Sequence, residues 1–590
     1  MKMKDFISSN EILLIIIGIF LLFPLFSNAQ VAGAHVNSES IAQTLNNPSD
    51  SRIAGLHINM LKELYSRRGN RPIWINQQTQ QISERTPVLR SMLLTAYRHG
   101  LPGIFVQQTN GDRNYVSYKY WTQAHEELYA GKVSYEPMYL ELMASEALLK
   151  YTKHLLVGRF DPGQVDPNIE MNQREITPNS YGALAEALDA PLKEFRNRVD
   201  RFAPNNPAYM GLMALMSKLI KQQLHYGNFK TINLPKDSLK LKSPSMRDPM
   251  IPQLRERLAF YGYPTQNAQS DEFDADLQKA LLQFQALNTL KEDGEIGNNV
   301  SKVLRYLNVP IQERMNQVSI NMERLRWLPR NRSNREIYVN LAMTEFKLYE
   351  ISAVAGGKWQ YKEALKFRTV NGKGVRQSPI RIDSVKWVIL NPDWTVPANL
   401  ARQDKLPLLK QNPNWLNEHN MYLKKDGAQI PSETIDWLNF NPNDFQDESN
   451  AFQIVQRPGY DNALGVVKFK LAKGDAIYMH DTNERDLFAF ENRHASSGCI
   501  RLEKPLNLAD YLKPYMKSNP GDIRSKVPAS VNATGDFKTK WIEMKYQIPV
   551  YLIYLTADQT PEGQARFGDD PYGQDPKLLA AMMDPANNQF

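Results

Sequence analysis

The 590-residue chain reads as a multidomain α+β protein: a helical N-terminal part followed by a mainly β C-terminal third. Two observations predict this. Apolar residues recur at helical spacing up to about residue 330, and after about residue 335 they alternate with period two. A charged, proline-bearing stretch over 236–250 (KDSLKLKSPSMRDPM) separates two helical blocks and reads as a linker. At this length two to four domains are expected.

The N-terminus carries Lys2 and Lys4, an apolar run from Ile12 to Phe26, and Ser27-Asn28-Ala29-Gln30. That is the pattern of a signal peptide cut after Ala29, assigning 1–29 to a leader. The run is short for the ~30 Å bilayer core and contains Pro24. An uncleaved membrane anchor is the alternative, and under either reading the protein acts outside the cytoplasm. Residues 30–50 are polar and read as a flexible lead-in. From 50 to 235 a helical domain is expected. GLHINMLKELYSRRG sets Leu56, Met60, Leu61 and Leu64 on one face, while 139–158 and 211–227 give two stronger helices, the last ending at Gly227. Their Met and Leu stripes read as core.

Residues 248–309 form a compact unit of three expected helices, with a turn at Asp293-Gly294 and an Asn298 or Asn299 cap on the last. Leu254, Leu258, Tyr261-Gly262, Leu277, Ala280, Phe284-Gln285, Asp293-Gly294 and Ile296-Gly297 resemble the pattern of the small three-helix peptidoglycan-binding module. A helix over 311–330 is expected to pack back on the first helical domain, which makes the module an insertion. From 335 to 560 a β-rich domain follows, with strands in REIYVNLAMTEFKLYEI and KWQYKEALKFRTVNG about a Gly356-Gly357 turn. Residues 400–450 break the strand pattern and read as an insert, a lid or a passive loop. Residues 561–590 read as a C-terminal tail.

The net charge of +8 and pI near 9.0 are mild for this size, and no Lys/Arg block or nucleic-acid motif accompanies them. The single cysteine, Cys499, forms no intramolecular disulfide and rules out a cysteine-built zinc site. It sits in RHASSGCIRLEKP, nineteen residues after His480 at the end of the strand AIYMH. A free thiol is only a few per cent ionised at neutral pH, and a nearby imidazole can take its proton and later protonate a leaving amine. Backbone N–H groups at Gly498 and Cys499 are candidates for an oxyanion hole. The residues thus suggest an exported Cys–His acyl-transfer site.

The segments IYMHD and SSGCIR, with NPDWTVP, RPGYDNALGVVKFKL, RLEKPLNLA and YLIYLTA around them, resemble the L,D-transpeptidase catalytic domain. The whole chain is similar to the large periplasmic Gram-negative type, with a helical scaffold and an inserted peptidoglycan-binding module. Many members carry histidine two residues before the cysteine, whereas Ser497 stands here. The resemblance implies Cys499 as nucleophile and His480 as base. Gly498, Ser497, Tyr478 and Arg501 line the oxyanion or substrate region, Arg501 meeting a carboxylate or, preferably, holding the loop. Asp481 or a backbone carbonyl would orient His480. Trp394 and Asn462 are candidates for the wall, and His494 is a loop histidine or a rival base. The implied reaction is transfer from a tetrapeptide stem with loss of D-alanine, giving a 3–3 cross-link and needing no cofactor. Water or a lipoprotein amine as acceptor, or a non-catalytic wall-binding scaffold, are the alternatives. Expected partners are stem peptides, carbapenem inhibitors and other wall-synthesis proteins, with no nucleic acid.

Overall fold

The structure is a computed structural model describing residues 35–47, 49–50, 56–101, 136–233, 246–296, 302–354, 358–474, 477–533 and 537–584. The leader over 1–29, the Gly356-Gly357 turn, Gly297 and the Asn298/Asn299 cap lie outside these residues. No helix among the described residues is long and apolar enough to cross a membrane.

The helical part is organised round α1, Pro137–Val157. Pro137 suits its first turn, and the Glu136 carboxylate accepts from the Tyr139 amide. Nearly every side chain of α1 is buried, as its all-round apolar sequence requires. Within it Glu141 accepts from the amides of Ile73, Trp74 and Ile75 at 2.6–3.0 Å and from the Tyr65 hydroxyl at 2.6 Å. One buried carboxylate thus ties three chain segments together. Helix α2, Pro207–Tyr226, is capped by Asn206 and runs beside α5, Ile311–Arg326, so the chain returns to the helical core after the small module. In that module α3 (Ile251–Phe260) packs on α4 (Ala275–Leu287) through Leu254, Leu258, Leu277 and Phe284, all fully buried. Gln285 braces the turn, donating to Asp293 at 2.9 Å and accepting from the Gly294 amide at 2.8 Å.

The C-terminal part is a sheet closed on itself. Its strands are β2 (Arg335–Asn340), β3 (Glu345–Val354), β4 (Lys358–Gly372), β5 (Ile380–Leu390), β10 (Val467–Leu471), β11 (Tyr478–His480), β13 (Ile500–Leu502) and β14 (Lys540–Ile553), with the short β12 (His494–Ser496) paired in parallel with the end of β4. The order β5-β10-β11-β13-β4-β3-β2-β14 returns to β5, because β14 pairs with β2 in parallel and with β5 antiparallel. Closure removes the exposed edges of an open sheet. Inside sit Val339, Val388, Phe469, Met479, Ile500 and Ile542.

Three boundaries differ from the sequence expectation. The helical part contributes a strand, β1 (Ile169–Glu170), paired in parallel with Ile380 and Arg381 of β5. The 400–450 stretch is the middle of a folded subdomain over 394–456. It has a four-stranded sheet of β6 (Trp394–Thr395), β7 (Met421–Lys425), β8 (Ala428–Ile430) and β9 (Gln453–Gln456), and its own core round Leu409, Leu416, Leu423 and Trp437. Residues 561–584 are not a tail. Ala557–Gln559 and Ala565–Phe567 form a hairpin (β15, β16), and the helix Asp575–Met583 buries Leu578 in the barrel core.

That hairpin joins all three parts. The Ala565 amide donates to the Tyr261 carbonyl at 2.8 Å, and the Phe567 amide to Asn288 at 2.6 Å. Arg566, 3% exposed, donates to the Leu287 carbonyl and pairs with Glu345 at 3.0 Å and Asp558 at 3.4 Å. Burial alone would raise the Glu345 carboxyl, but Arg566, Lys347 and Lys366 overcome it and hold it far below the usual carboxylate range. Arg566→Met is therefore expected to cost about 3–5 kcal/mol, because it takes the cation from buried Asp558 and leaves Glu345 held by the Lys347 and Lys366 ammoniums at 2.9 and 3.2 Å. Glu345's contribution is present above its unfolded value of ~4.3 and is lost as the pH falls below that. Denaturant titrations at pH 7 and at acidic pH check this: the deficit should shrink in acid.

Candidate active site

Strand β11 lies between β10, antiparallel, and β13, parallel. His480 is paired with Lys468 on one side and Arg501 on the other, and Met479 with Phe469 and Ile500. Phe469, Met479 and Ile500 point into the core, so the alternation of a strand puts Lys468, Lys470, Tyr478, His480, Cys499 and Arg501 on the opposite face. One register step back from Met479–Ile500 sets Tyr478 beside Cys499, and His480 diagonal to it. Diagonal neighbours lie roughly 7–8 Å apart, so the imidazole and the thiol stand on one face of adjacent strands.

The Tyr478 hydroxyl hydrogen-bonds the Cys499 thiol and also meets the Trp394 side chain of β6. Burial pushes the Cys499 thiol up, against the opposing pull of the Tyr478 backbone amide, the Lys468 ammonium, the Tyr478 hydroxyl and Arg501. The resting thiol is therefore protonated at neutral pH. His480 is buried, and its Nδ1 bonds the Asp481 carbonyl oxygen. A carbonyl only accepts, so Nδ1 carries the hydrogen and Nε2 is the basic nitrogen. Burial, then the Arg501 cation, hold the imidazole well below its ordinary value and keep it neutral. The Asp481 carboxylate does not orient the ring: its Oδ2 accepts from the Val466 amide at 2.9 Å and from Arg485 at 2.8 Å.

The loop before β13 is braced from three sides. Gly498 has φ +115°, a conformation that L side chains rarely adopt. Its carbonyl accepts from the Ser378 hydroxyl at 2.7 Å, and the Ser496 hydroxyl donates to the Cys499 carbonyl at 2.6 Å. The Gly498 N–H donates to Ser496 Oγ at 3.2 Å. That corrects the expectation of a free Gly498 donor for an oxyanion, since the N–H is spent on bracing the turn. Exposed Ser497 accepts from Arg376 at 3.2 Å, and Arg376 grips Asp404 of the insert through two bonds of 2.7 and 2.8 Å. The insert thus holds the cysteine loop and overhangs Tyr478. Its Lys405 ammonium lies 4.8 Å from the Trp415 ring and 5.8 Å from that of Trp394.

Arg501 pairs with Glu484, an internal contact of the loop. Asn462 does not line the site: it donates to the Arg457 carbonyl at 2.9 Å and accepts from the Leu464 amide, holding its own turn. His494 bonds the Leu341 carbonyl at 2.9 Å through Nε2 and is committed there, so it is no rival base. Lys468 was not singled out from the sequence. Its ammonium stands 3.6 Å from the Tyr478 ring centroid and interacts with Cys499. The alternation in VVKFKL carried the signal, since it sets Lys468 and Lys470 opposite the apolar positions. Together the groups provide a thiol, a neutral base, a hydroxyl donor and a cation on one sheet face.

Three family models match the chain: a scaffold domain over 59–216, a "putative peptidoglycan binding domain" over 247–304 and an L,D-transpeptidase catalytic domain over 334–530. A Haemophilus influenzae protein described as a "putative L,D-transpeptidase" is 30% identical over 242 residues, covering 41% of this chain and 44% of that protein. The chain thus spans less than half the length of that relative. A Clostridium acetobutylicum crystal structure, a fused Zn-dependent amidase/peptidase and peptidoglycan-binding domain-containing protein, covers 54% of this chain and all of its own at 10% identity. Its TM-score of 0.14 is too low to speak for the fold.

Proposed function

The chain carries an L,D-transpeptidase catalytic domain joined to a peptidoglycan-binding and a scaffold domain, and from that premise we propose that it forms 3–3 cross-links in peptidoglycan through a Cys499 thioester. The observation that supports this most is the thiol beside the Tyr478 hydroxyl, on the sheet face of an imidazole whose Nδ1–H is fixed on the Asp481 carbonyl. In the first step His480 Nε2 takes the thiol proton and sulfur attacks the carbonyl carbon of the third stem residue. The bond to the terminal D-alanine breaks, and its nitrogen leaves with the proton from His480. The second stem's side-chain amine then attacks the thioester, gives its proton to His480 and releases sulfur. Tyr478 and Lys468 face the sulfur and stabilise its anion.

Such a substrate places the protein outside the cytoplasm, in keeping with the leader read at 1–29. Incubation with disaccharide-tetrapeptides tests the reaction by product mass. A dimer is expected; a tripeptide alone would mean hydrolysis, and no thiol-dependent product a wall-binding scaffold. Carbapenem acylation is expected as added mass on Cys499.

Lys468 offers a test by pH. Burial pushes its ammonium down to about 8, partly countered by Cys499. Its charge, which favours the thiolate, is present below that value and lost above it. Lys468→Met is expected to slow acylation of Cys499 by a carbapenem about tenfold at pH 6–7. The gap from wild type should close as the pH rises through 8. A gap independent of pH removes the lysine's charge from the mechanism.

A further inference from the structure

The sheet face carrying Cys499 continues beyond Tyr478. Register places Lys470 beside Trp387 of β5 and Lys468 beside Ile389. It then places Trp541 of β14 beside Ile389 and Glu543 beside Trp387. The intervening Val388, Phe469 and Ile542 point into the core, so Trp387, Trp541, Lys470 and Glu543 point outward from the closed sheet, as the thiol does, Glu543 being paired with Lys517 at 2.6 Å. The two indoles meet edge to face with centroids 5.9 Å apart, and the Lys470 ammonium lies 5.4 Å from the Trp541 ring. Tyr478 and His480, under the insert, are 7% and 4% exposed, whereas Trp541 is 50% exposed. The row therefore begins beneath the insert and opens to solvent at a tryptophan pair.

Its dimensions match one substrate. Neighbouring strands lie ~4.8 Å apart, so the path round the curved sheet from the Cys499 strand is about 10 Å to Lys470, about 14 Å to Trp387 and about 19 Å to Trp541. An extended peptide advances ~3.3–3.6 Å per residue. With the third stem carbonyl at Cys499, two residues and the linking acyl group span about 10–11 Å, and the sugar begins there. A pyranose offers an apolar C–H face suited to an indole, and the stem offers carboxylates suited to an ammonium.

Building on the reading of Cys499 as acyl acceptor, we propose that Trp387, Trp541 and Lys470 form a subsite for the donor muropeptide. The tryptophans take its saccharide end, and the lysine takes a stem carboxylate. The test uses the full chain and two donors, disaccharide-tetrapeptide and the same tetrapeptide without sugar. Wild type is expected to favour the glycosylated donor in kcat/KM by about tenfold, mostly through KM. Trp541→Ala should lose most of that preference, and Trp541→Phe should keep it. A fold defect would lower both donors alike and leave the ratio intact. Lys470→Met should weaken both donors together, since both carry the carboxylate. A wild type indifferent to the sugar, or a ratio unchanged in Trp541→Ala, overturns the saccharide subsite; both donors unaffected by Lys470→Met removes the lysine from it. A wild type whose Cys499 gains no carbapenem mass overturns instead the acyl-enzyme reading on which the subsite rests.

Discussion

Cys499→Ala is expected to abolish cross-linking, with a fall of at least about 10⁴-fold in turnover and no carbapenem adduct anywhere on the chain. The size of the effect follows from the covalent step proposed for this thiol. The protein has no second thiol to substitute for the first, and the remaining groups around the site supply only a base, a hydroxyl donor and a cation. Without sulfur no acyl group can be stored between loss of D-alanine and attack by the second amine. The fold should survive, since Cys499 is half-buried and its loop is held by backbone and serine contacts made at Gly498, Ser496 and Ser378. Cys499→Ser separates geometry from nucleophilicity. It keeps the shape and a hydroxyl, yet a serine hydroxyl is far less acidic than a thiol, so an imidazole held below its ordinary basicity cannot ionise it. Mass spectrometry of products and of carbapenem-treated protein, beside a thermal melt, makes the check. A cross-linked dimer from Cys499→Ala would move the chemistry away from this thiol.

Much of this site was legible in one strand pattern. The change from helical spacing to alternation near residue 335 separates the helical part from the barrel, and the same alternation puts Tyr478 and His480 on one face. What stayed hidden depends on partners remote in sequence. Ile169 pairs with Ile380, and Arg566 reaches Glu345 and Leu287; no local period reports such contacts. The subdomain over 394–456 was illegible because its core is assembled from short, proline-broken segments, each too brief to show a period. Residues 561–584 look like a polar tail because their anchors are specific. Asp570 takes the Tyr554 hydroxyl at 2.5 Å, and Asp575 takes Arg324 at 2.6 Å. At the cysteine loop, composition offered two N–H donors, and only the hydrogen bond to Ser496 shows that one of them is engaged. The choice between the two possible orienters of His480 was likewise geometric. Asp481 supplies its carbonyl, while its carboxylate faces Val466 and Arg485.

His480→Asn should be the second most damaging change, with a loss of about 10²–10⁴-fold that depends on pH in a characteristic way. Asparagine can still donate an N–H toward the Asp481 carbonyl, so the strand end keeps a partner where alanine would leave that oxygen stranded. It offers no basic nitrogen, however. In wild type the imidazole is held well below its ordinary value by burial and by Arg501, so it stays neutral and able to accept across pH 6–8. Acylation of Cys499 by a carbapenem should then be nearly flat over that range. Once the base is gone, sulfur must ionise unaided, and burial holds the Cys499 thiol above its ordinary range. The rate of His480→Asn should therefore climb about tenfold per pH unit between 7 and 9, following the thiolate fraction. Stopped-flow acylation across that range decides the matter. A rate for His480→Asn as flat as wild type's would mean that some other group removes the proton, and Lys468, neutral above about 8, would be the next to replace.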